Sequence, residues 1–210
     1  MTPSPPDPFP AFNTAPLKAG TELYRFHDPI FGGAAYNPCK GGPTRFAPLR
    51  LPSGDCLPTL YAAITLEAAV WESLFHDVPH AAGPKSVRLN KVTSRALSIL
   101  KLKREIIVAP LHAPDLHRIG VGRADLIETP PTAYAETARW AEAFHRGNAS
   151  VAGLRWTSRR CDPEQAFVFF EDRSPSSPWR VTERIEVGKA PDLIEAIRAF
   201  GRRADITLTI

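Results

Sequence analysis

The spacing of hydrophobic and polar residues predicts many short strands and three helices. Residues 21–27, TELYRFH, alternate with the period of two that a half-buried strand shows. Residues 57–63 predict an apolar strand, and a helix follows from 66 to about 77, with Thr65 as N-cap and Pro79 beyond its end. The other predicted helices cover 132–147 and 192–202, and the other predicted strands cover 44–47, 86–92, 96–102, 106–109, 151–158, 166–172, 179–188 and 205–210.

Strands outnumber helices and do not alternate regularly with them, which favours the α+β class over a doubly wound parallel sheet. A chain of 210 residues suits a single domain. Residues 1–18 hold six of the 22 prolines and predict an extended or disordered tail, so the domain is predicted over 19–210. The apolar run 166–172, AFVFFED, predicts a central strand.

The composition and the absence of a secretory signal predict a protein of the cytoplasm. No apolar run approaches the roughly 20 residues that cross a bilayer, and the N-terminus lacks a secretory signal, so we expect no membrane contact. The three cysteines, Cys39, Cys56 and Cys161, are odd in number and form no CxxC pair. They predict a reducing compartment, no disulfide framework and no zinc site.

The net charge of +4 and the pI near 9.1 suit nucleic acid, an acidic partner or an anionic small molecule. The basic residues are scattered and carry no nucleic-acid-binding motif, so we expect no direct nucleic-acid binding. None of the six histidines pairs with a cysteine at a metal-ligand spacing, and no GxGxxG is present. We therefore expect no metal and no Rossmann cofactor, and we assign no histidine to catalysis. His76 and His145 lie near the ends of predicted helices and are interpreted as surface residues.

Glu72 is a single carboxylate in the middle of a helix that is apolar on nearly every side. A charge packed there must be paired, hydrogen-bonded or next to a cavity, because an unpaired buried charge costs several kcal/mol. One interpretation is an ordinary salt bridge to an arginine of a neighbouring strand. The other is a functional carboxylate in a cleft.

Two arginines on predicted strands, Arg25 and Arg45, favour the functional interpretation of Glu72. Guanidinium groups suit phosphate oxygens and a carboxylate suits a sugar hydroxyl, so the set fits a pyrophosphate attached to a ribose. Tyr61 lies on the strand before the helix. Tyr61 could instead be a core residue, and Arg25 could instead serve only as a structural partner of Glu72.

The blocks LYRFH, GGPTRF, TLYAAITLEAAVWES, GLRWTSRR and AFVFFED, in this order over residues 21–173, resemble the RES domain family. The family is named after an arginine, a glutamate and a serine, which correspond here to Arg45, Glu72 and Ser158. The chain departs from its usual pattern by two residues inserted before Arg45, by Ala47 where an asparagine is common, and by Phe26 where some members carry tyrosine.

The resemblance implies a toxin of a bacterial toxin–antitoxin pair with a fold similar to ADP-ribosyltransferase toxins, built from small mixed or antiparallel sheets with flanking helices. It implies an enzyme that cleaves the nicotinamide–ribose bond of NAD+, as a glycohydrolase or a phosphorylase, without a separate cofactor. It also implies a partner antitoxin, often of the Xre type. Glu72 would stabilise positive charge on the ribose, Arg25 and Arg45 would hold the pyrophosphate, Tyr61 would stack on a ring or orient Glu72, and Ser158 would bind a phosphate or ribose oxygen. The alternative role for Ser158 is that of a turn residue at the end of a strand. The alternative functions are a protein mono-ADP-ribosyltransferase and a non-catalytic binding module in which Arg45 and Glu72 pair.

Overall fold

A computed structural model of the chain describes residues 2–174 and 176–210. The described residues form a mixed α+β domain, which confirms the predicted class. The strands are β1 Ala15–Leu17, β2 Glu22–His27, β3 Leu49–Arg50, β4 Cys56–Leu57, β5 Thr59–Ala63, β6 Lys85–Arg88, β7 Ala96–Leu102, β8 Ile106–Pro110, β9 Val151–Thr157, β10 Gln165–Phe170, β11 Trp179–Glu186 and β12 Ile206–Thr209. The helices are α1 Leu66–Ala69, α2 Leu89–Thr93, α3 Ala113–Arg118, α4 Arg123–Leu126, α5 Tyr134–Gly147 and α6 Pro191–Arg202, and a π-helical segment, Val70–Leu74, continues α1.

One sheet of eight strands, in the order β1-β8-β9-β10-β5-β2-β7-β11, carries most of the fold. Its pairs are antiparallel except β8 with β9, and two-stranded pairs β6–β12 and β3–β4 lie apart from it. The prediction for β10 is confirmed, since the strand lies inside the sheet and is covered on both faces. Phe167 and Phe169 pack into one cluster with Leu60 and Leu100, whereas Val168 and Phe170 join the opposite cluster under α3, α4 and α5.

The N-terminal segment follows the surface of the domain in an extended conformation and ends as β1, which pairs with β8. Phe9 and Phe12 contact Phe144 of α5 edge to face, with ring centroids 5.2 and 4.9 Å away. The indole of Trp140 donates to the carbonyl of Pro3 at 2.7 Å. The proline-rich residues are thus part of the folded unit, because their two phenylalanines cover one side of α5.

Two predictions of local structure are wrong. The predicted strand 86–92 is β6 followed by the short helix α2, because a helical turn lets Val87 and Val92 bury in one cluster, whereas strand alternation would place them on opposite faces. The predicted strand 44–47 is a tight turn closed by one bridge between Thr44 and Ala47. Helices α3 and α4 were not predicted, and no described helix is long and apolar enough to cross a membrane.

The expectation that the cysteines form no disulfide is also wrong. A disulfide joins Cys39 to Cys56, with their Cα atoms 6.1 Å apart, while Cys161 is free. The folded loop brings Cys39 beside β4, a proximity that cysteine spacing alone does not show. The disulfide closes the loop that contains Arg45.

The length of the loop that the disulfide closes predicts how much the bond stabilises the protein, because the closed loop lowers the entropy of the unfolded chain. The bond links residues 17 positions apart, so replacing both cysteines by serine should lower the free energy of unfolding by about 3 kcal/mol. Urea unfolding of the oxidised protein measures the effect. Cys161→Ser is the matched control, because Cys161 forms no disulfide. Burial raises the pKa of its thiol to about 11, so the thiol stays protonated and serine replaces one neutral group by another. We expect little change in the free energy of unfolding of this variant. Equal unfolding midpoints for the oxidised wild type and the double variant would contradict the prediction.

Candidate active site

A cleft of about 300 Å³ opens beside the carboxyl-terminal half of the first helix. Four of the five predicted site residues line it, brought there by four different segments: Arg25 by β2, Arg45 by the turn after the double glycine, Tyr61 by β5, and Glu72 by the π-helical segment. A second hollow of about 540 Å³ adjoins it and shares Arg25, Phe26 and Tyr61 as walls. The fold therefore places most of the predicted set around one space.

The π-helical segment places Glu72 at the cleft. Thr65 caps α1 as predicted, with its hydroxyl accepting from the Ala68 N–H at 3.2 Å. The Phe75 N–H then donates to the Val70 carbonyl, an i→i+5 bond that widens the turn. Val70 and Phe75 pack into the cluster formed with α6 and β12, which leaves Glu72 on the side that faces the cleft. The helix is shorter than predicted and ends at Leu74.

Ser158 holds the carboxylate of Glu72. Its hydroxyl is fully buried and donates to Glu72 Oε1 at 2.5 Å, and it accepts from the backbone N–H groups of Arg160 and Cys161 at 3.1 and 3.0 Å. The two N–H groups leave the hydroxyl proton only one good direction, toward Glu72. Ser158 thus lies behind Glu72 and does not line the cleft. In this geometry its hydroxyl binds the Glu72 carboxylate and not a substrate oxygen.

The salt-bridge interpretation of Glu72 does not match the structure. Within residues 2–174 and 176–210, Glu72 forms no ion pair within 4 Å, and neither does Arg25 or Arg45. Glu67, one turn earlier, does form one, to Arg203 near the surface. The carboxylate at the cleft therefore keeps an oxygen for another partner.

The two arginines of the cleft are buried cations. Arg45 is 5% exposed; its guanidinium donates to Thr129 Oγ1 at 2.9 Å and lies 5.5 Å from the ring centre of Tyr134. Burial lowers the pKa of Arg45, and Tyr134 and Glu72 oppose that shift. Burial lowers the pKa of Arg25 to about 10, so its guanidinium remains charged at neutral pH. Arginine keeps its proton in proteins, so Arg45 is charged as well.

Arg25 also has a structural role, although not as a partner of Glu72. Its Nη1 donates to the carbonyls of Gly33 and Ala35 at 2.9 and 2.6 Å, which fixes the loop after β2. With two cations and one carboxylate, the cleft carries a net positive charge and favours an anionic ligand.

Tyr61 holds the loop of Arg45 rather than Glu72. Its hydroxyl accepts from the Phe46 N–H at 2.9 Å and lies 3.0 Å from Thr44 Oγ1, and its ring contacts Trp156 edge to face. Burial raises the pKa of Tyr61 to about 12, so the phenol stays neutral and can act as both donor and acceptor. Tyr61 thereby fixes the turn on which Arg45 lies.

The surface prediction is wrong for two histidines: His76 lines the cleft, and His145 is buried. His76 follows Glu72 by four residues, and this spacing on a helix is the signal that indicates a shared face. Trp156 also lines the cleft and has a buried indole N–H without a partner among the described residues. Neither His76 nor Trp156 is among the site residues that the sequence predicts.

Fold and cleft together define a class: a single-domain α+β protein with one carboxylate and two buried arginines around a cleft suited to an anionic ligand. The model of the RES domain family matches residues 22–187, so the chain belongs to the RES domain family. Its fold is similar to a chain in the crystal structure of the M. tuberculosis MbcT–MbcA toxin–antitoxin complex, with a TM-score of 0.61 at 14% identity, covering 88% of this chain and 92% of that one. No curated protein matches the sequence.

Proposed function

We propose that this protein is a toxin enzyme that cleaves the nicotinamide–ribose bond of NAD+. The observation that carries the proposal is the cleft itself, in which Glu72, held by Ser158 and without an ion pair in the described chain, faces two buried arginines. An arginine–glutamate pair would have supported a non-catalytic module. The separated charges support a site that binds a dinucleotide.

The chemistry follows from the charges that develop during cleavage. When the bond between the ribose C1′ and the nicotinamide nitrogen breaks, its electron pair leaves with nicotinamide, and positive charge grows on the ribose. Glu72 stabilises that charge, and its free oxygen is available to a ribose hydroxyl. Nicotinamide leaves as a neutral molecule, so no strong general acid is needed.

Arg45 and Arg25 bind the pyrophosphate in this proposal and so fix the pose of the dinucleotide. Ser158 acts by orienting Glu72, and Tyr61 acts by holding the turn of Arg45. An acceptor oxygen then adds to C1′ and releases its proton. If the acceptor is water, the enzyme is a glycohydrolase, and if it is inorganic phosphate, the enzyme is a phosphorylase. If the acceptor is a protein side chain, the enzyme is a mono-ADP-ribosyltransferase.

The biological part of the proposal is a toxin neutralised by an antitoxin partner in the cytoplasm. It is supported by membership in the RES family and by the structural likeness to a chain of a toxin–antitoxin complex. We propose a partner of the Xre type, whose helix-turn-helix domain would make any contact with DNA.

Incubation of the purified full chain with NAD+, with and without inorganic phosphate, tests the proposal. We expect release of nicotinamide, detected by liquid chromatography and mass spectrometry. NADH is the control, because its dihydronicotinamide is a much poorer leaving group and should remain attached. ADP-ribose, phosphorylated ADP-ribose or protein-bound label identifies the acceptor, whereas intact NAD+ at high enzyme concentration would contradict the proposal.

A further inference from the structure

A chain of hydrogen bonds runs from the exposed Asp77 through His76, in the cleft wall, to the buried ring beneath Arg45. The imidazole of His76 lies with Nδ1 2.9 Å from Asp77 Oδ1 and Nε2 3.0 Å from the hydroxyl of Tyr134. Tyr134 is buried at the start of α5, and the Arg45 guanidinium carbon lies 5.5 Å from the centre of its ring. Two residues of the cleft wall, His76 and Arg45, are therefore connected through a buried phenol.

The direction of these bonds follows from the charge of Asp77. The hydrogen bond from His76 and the ion pair with Lys91 at 3.1 Å hold the pKa of Asp77 below its ordinary value, so its carboxylate only accepts. Nδ1 of His76 must then carry the proton. In the neutral imidazole Nε2 is an acceptor, so Tyr134 donates its hydroxyl proton to His76.

The backbone at His76 is fixed from a second side. Arg160 Nη2 donates to the His76 carbonyl at 2.5 Å and Nη1 donates to the Val78 carbonyl at 2.6 Å. Arg160 follows Ser158 in the turn that leaves β9, so one turn holds both the Glu72 carboxylate and the His76 backbone. The backbone that carries the imidazole is therefore held in place.

We propose that His76 is a positioning residue that sets the orientation of Arg45 through Tyr134. The imidazole accepts the phenol proton, which fixes the ring, and the ring face supports the guanidinium by a cation–π contact. The inference rests on the proposed function, because it assigns the effect of His76 to binding of the anionic part of NAD+ and not to bond cleavage.

A double-mutant cycle tests the connection. His76→Phe removes the acceptor and Tyr134→Phe removes the donor while it keeps the ring, and each should raise KM for NAD+ about tenfold with kcat little changed. The double variant should be no worse than either single variant, since both break the same bond. Multiplied effects, or a fall in kcat at unchanged KM, would overturn the inference.

Two further variants separate positioning from general damage to the loop. His76→Gln keeps an amide oxygen that can accept from Tyr134, so its KM should lie within about threefold of the wild type. His80→Phe changes an exposed histidine four residues further on and should leave both constants unchanged. A His76→Gln variant as impaired as His76→Phe would count against the inference.

A measurement without substrate distinguishes failure of this inference from failure of the proposed function. Long-range ¹H–¹⁵N spectra should show His76 as the Nδ1-protonated tautomer, with an Nε2 shift that changes in Tyr134→Phe. An Nε2-protonated ring overturns the inference whatever the activity. If NAD+ stays intact while the Nδ1-protonated ring is seen, the proposed function fails and the hydrogen-bond chain stands.

Discussion

Replacing Glu72 by glutamine is expected to lower kcat for NAD+ cleavage by about 10²- to 10³-fold, the usual effect of losing an electrostatic stabiliser. Glutamine has nearly the same shape, and its amide oxygen can still accept from Ser158. The variant therefore removes the charge and little else. Because that charge matters most when the ribose becomes positive, KM should change much less than kcat.

Glu67→Gln is the matched control for this experiment. Glu67 lies on the same helix, but its carboxylate pairs with Arg203 away from the cleft, so its loss should leave nicotinamide release unchanged. Rates are compared by chromatography of released nicotinamide at saturating NAD+. Equal turnover by wild type and Glu72→Gln would refute the assigned role of Glu72.

Replacing Arg45 by methionine should weaken NAD+ binding by about 10- to 100-fold, the range for losing a hydrogen bond to a charged group. The guanidinium is buried in the cleft wall without an ionic partner among the described residues, so a bound pyrophosphate would supply the opposite charge. Arg45→Lys should restore little, because an ammonium cannot reproduce the planar fork. The dissociation constant is best measured by calorimetry in the Glu72→Gln background, where the ligand persists.

Arg50→Met is the control for Arg45. Arg50 lies in the same disulfide-closed loop, and among the described residues its exposed side chain makes one hydrogen bond, to the Gly54 carbonyl at 3.4 Å. Thermal unfolding of each variant verifies the fold, and methionine suits the buried position because it removes a charge that burial disfavours. Unchanged affinity in Arg45→Met, with the fold intact, would show that the pyrophosphate lies elsewhere.

Local sequence pattern predicted the elements whose buried faces repeat regularly. β2, β7 and β10, together with α5 and α6, appear within a few residues of the prediction, because their periodicity reflects which side is covered. Glu72 was identified from the same logic, as the one carboxylate that an apolar helix does not explain. Of the five residues predicted to share a cleft, Arg25, Arg45, Tyr61 and Glu72 line it, whereas Ser158 lies behind Glu72.

What the sequence did not reveal depends on contacts between distant residues. The partner of Glu72 is Ser158, 86 positions away, and the alternative salt bridge to an arginine does not form within residues 2–174 and 176–210. The disulfide depends on how the loop before β4 folds back. The place of His76 depends on Tyr134, 58 positions further along, which no helical or strand period connects to it. Each case needs the tertiary structure.

Strand β1 has a practical consequence for anyone designing a shorter version of this protein. The RES match starts at residue 22, so a cut at that point would look natural, yet it would delete the outermost strand of the main sheet. The backbone of β8 would then present unpaired amides and carbonyls along an apolar edge, a known template for strand-to-strand self-association. The trimmed protein would tend to aggregate, whatever the state of its cleft.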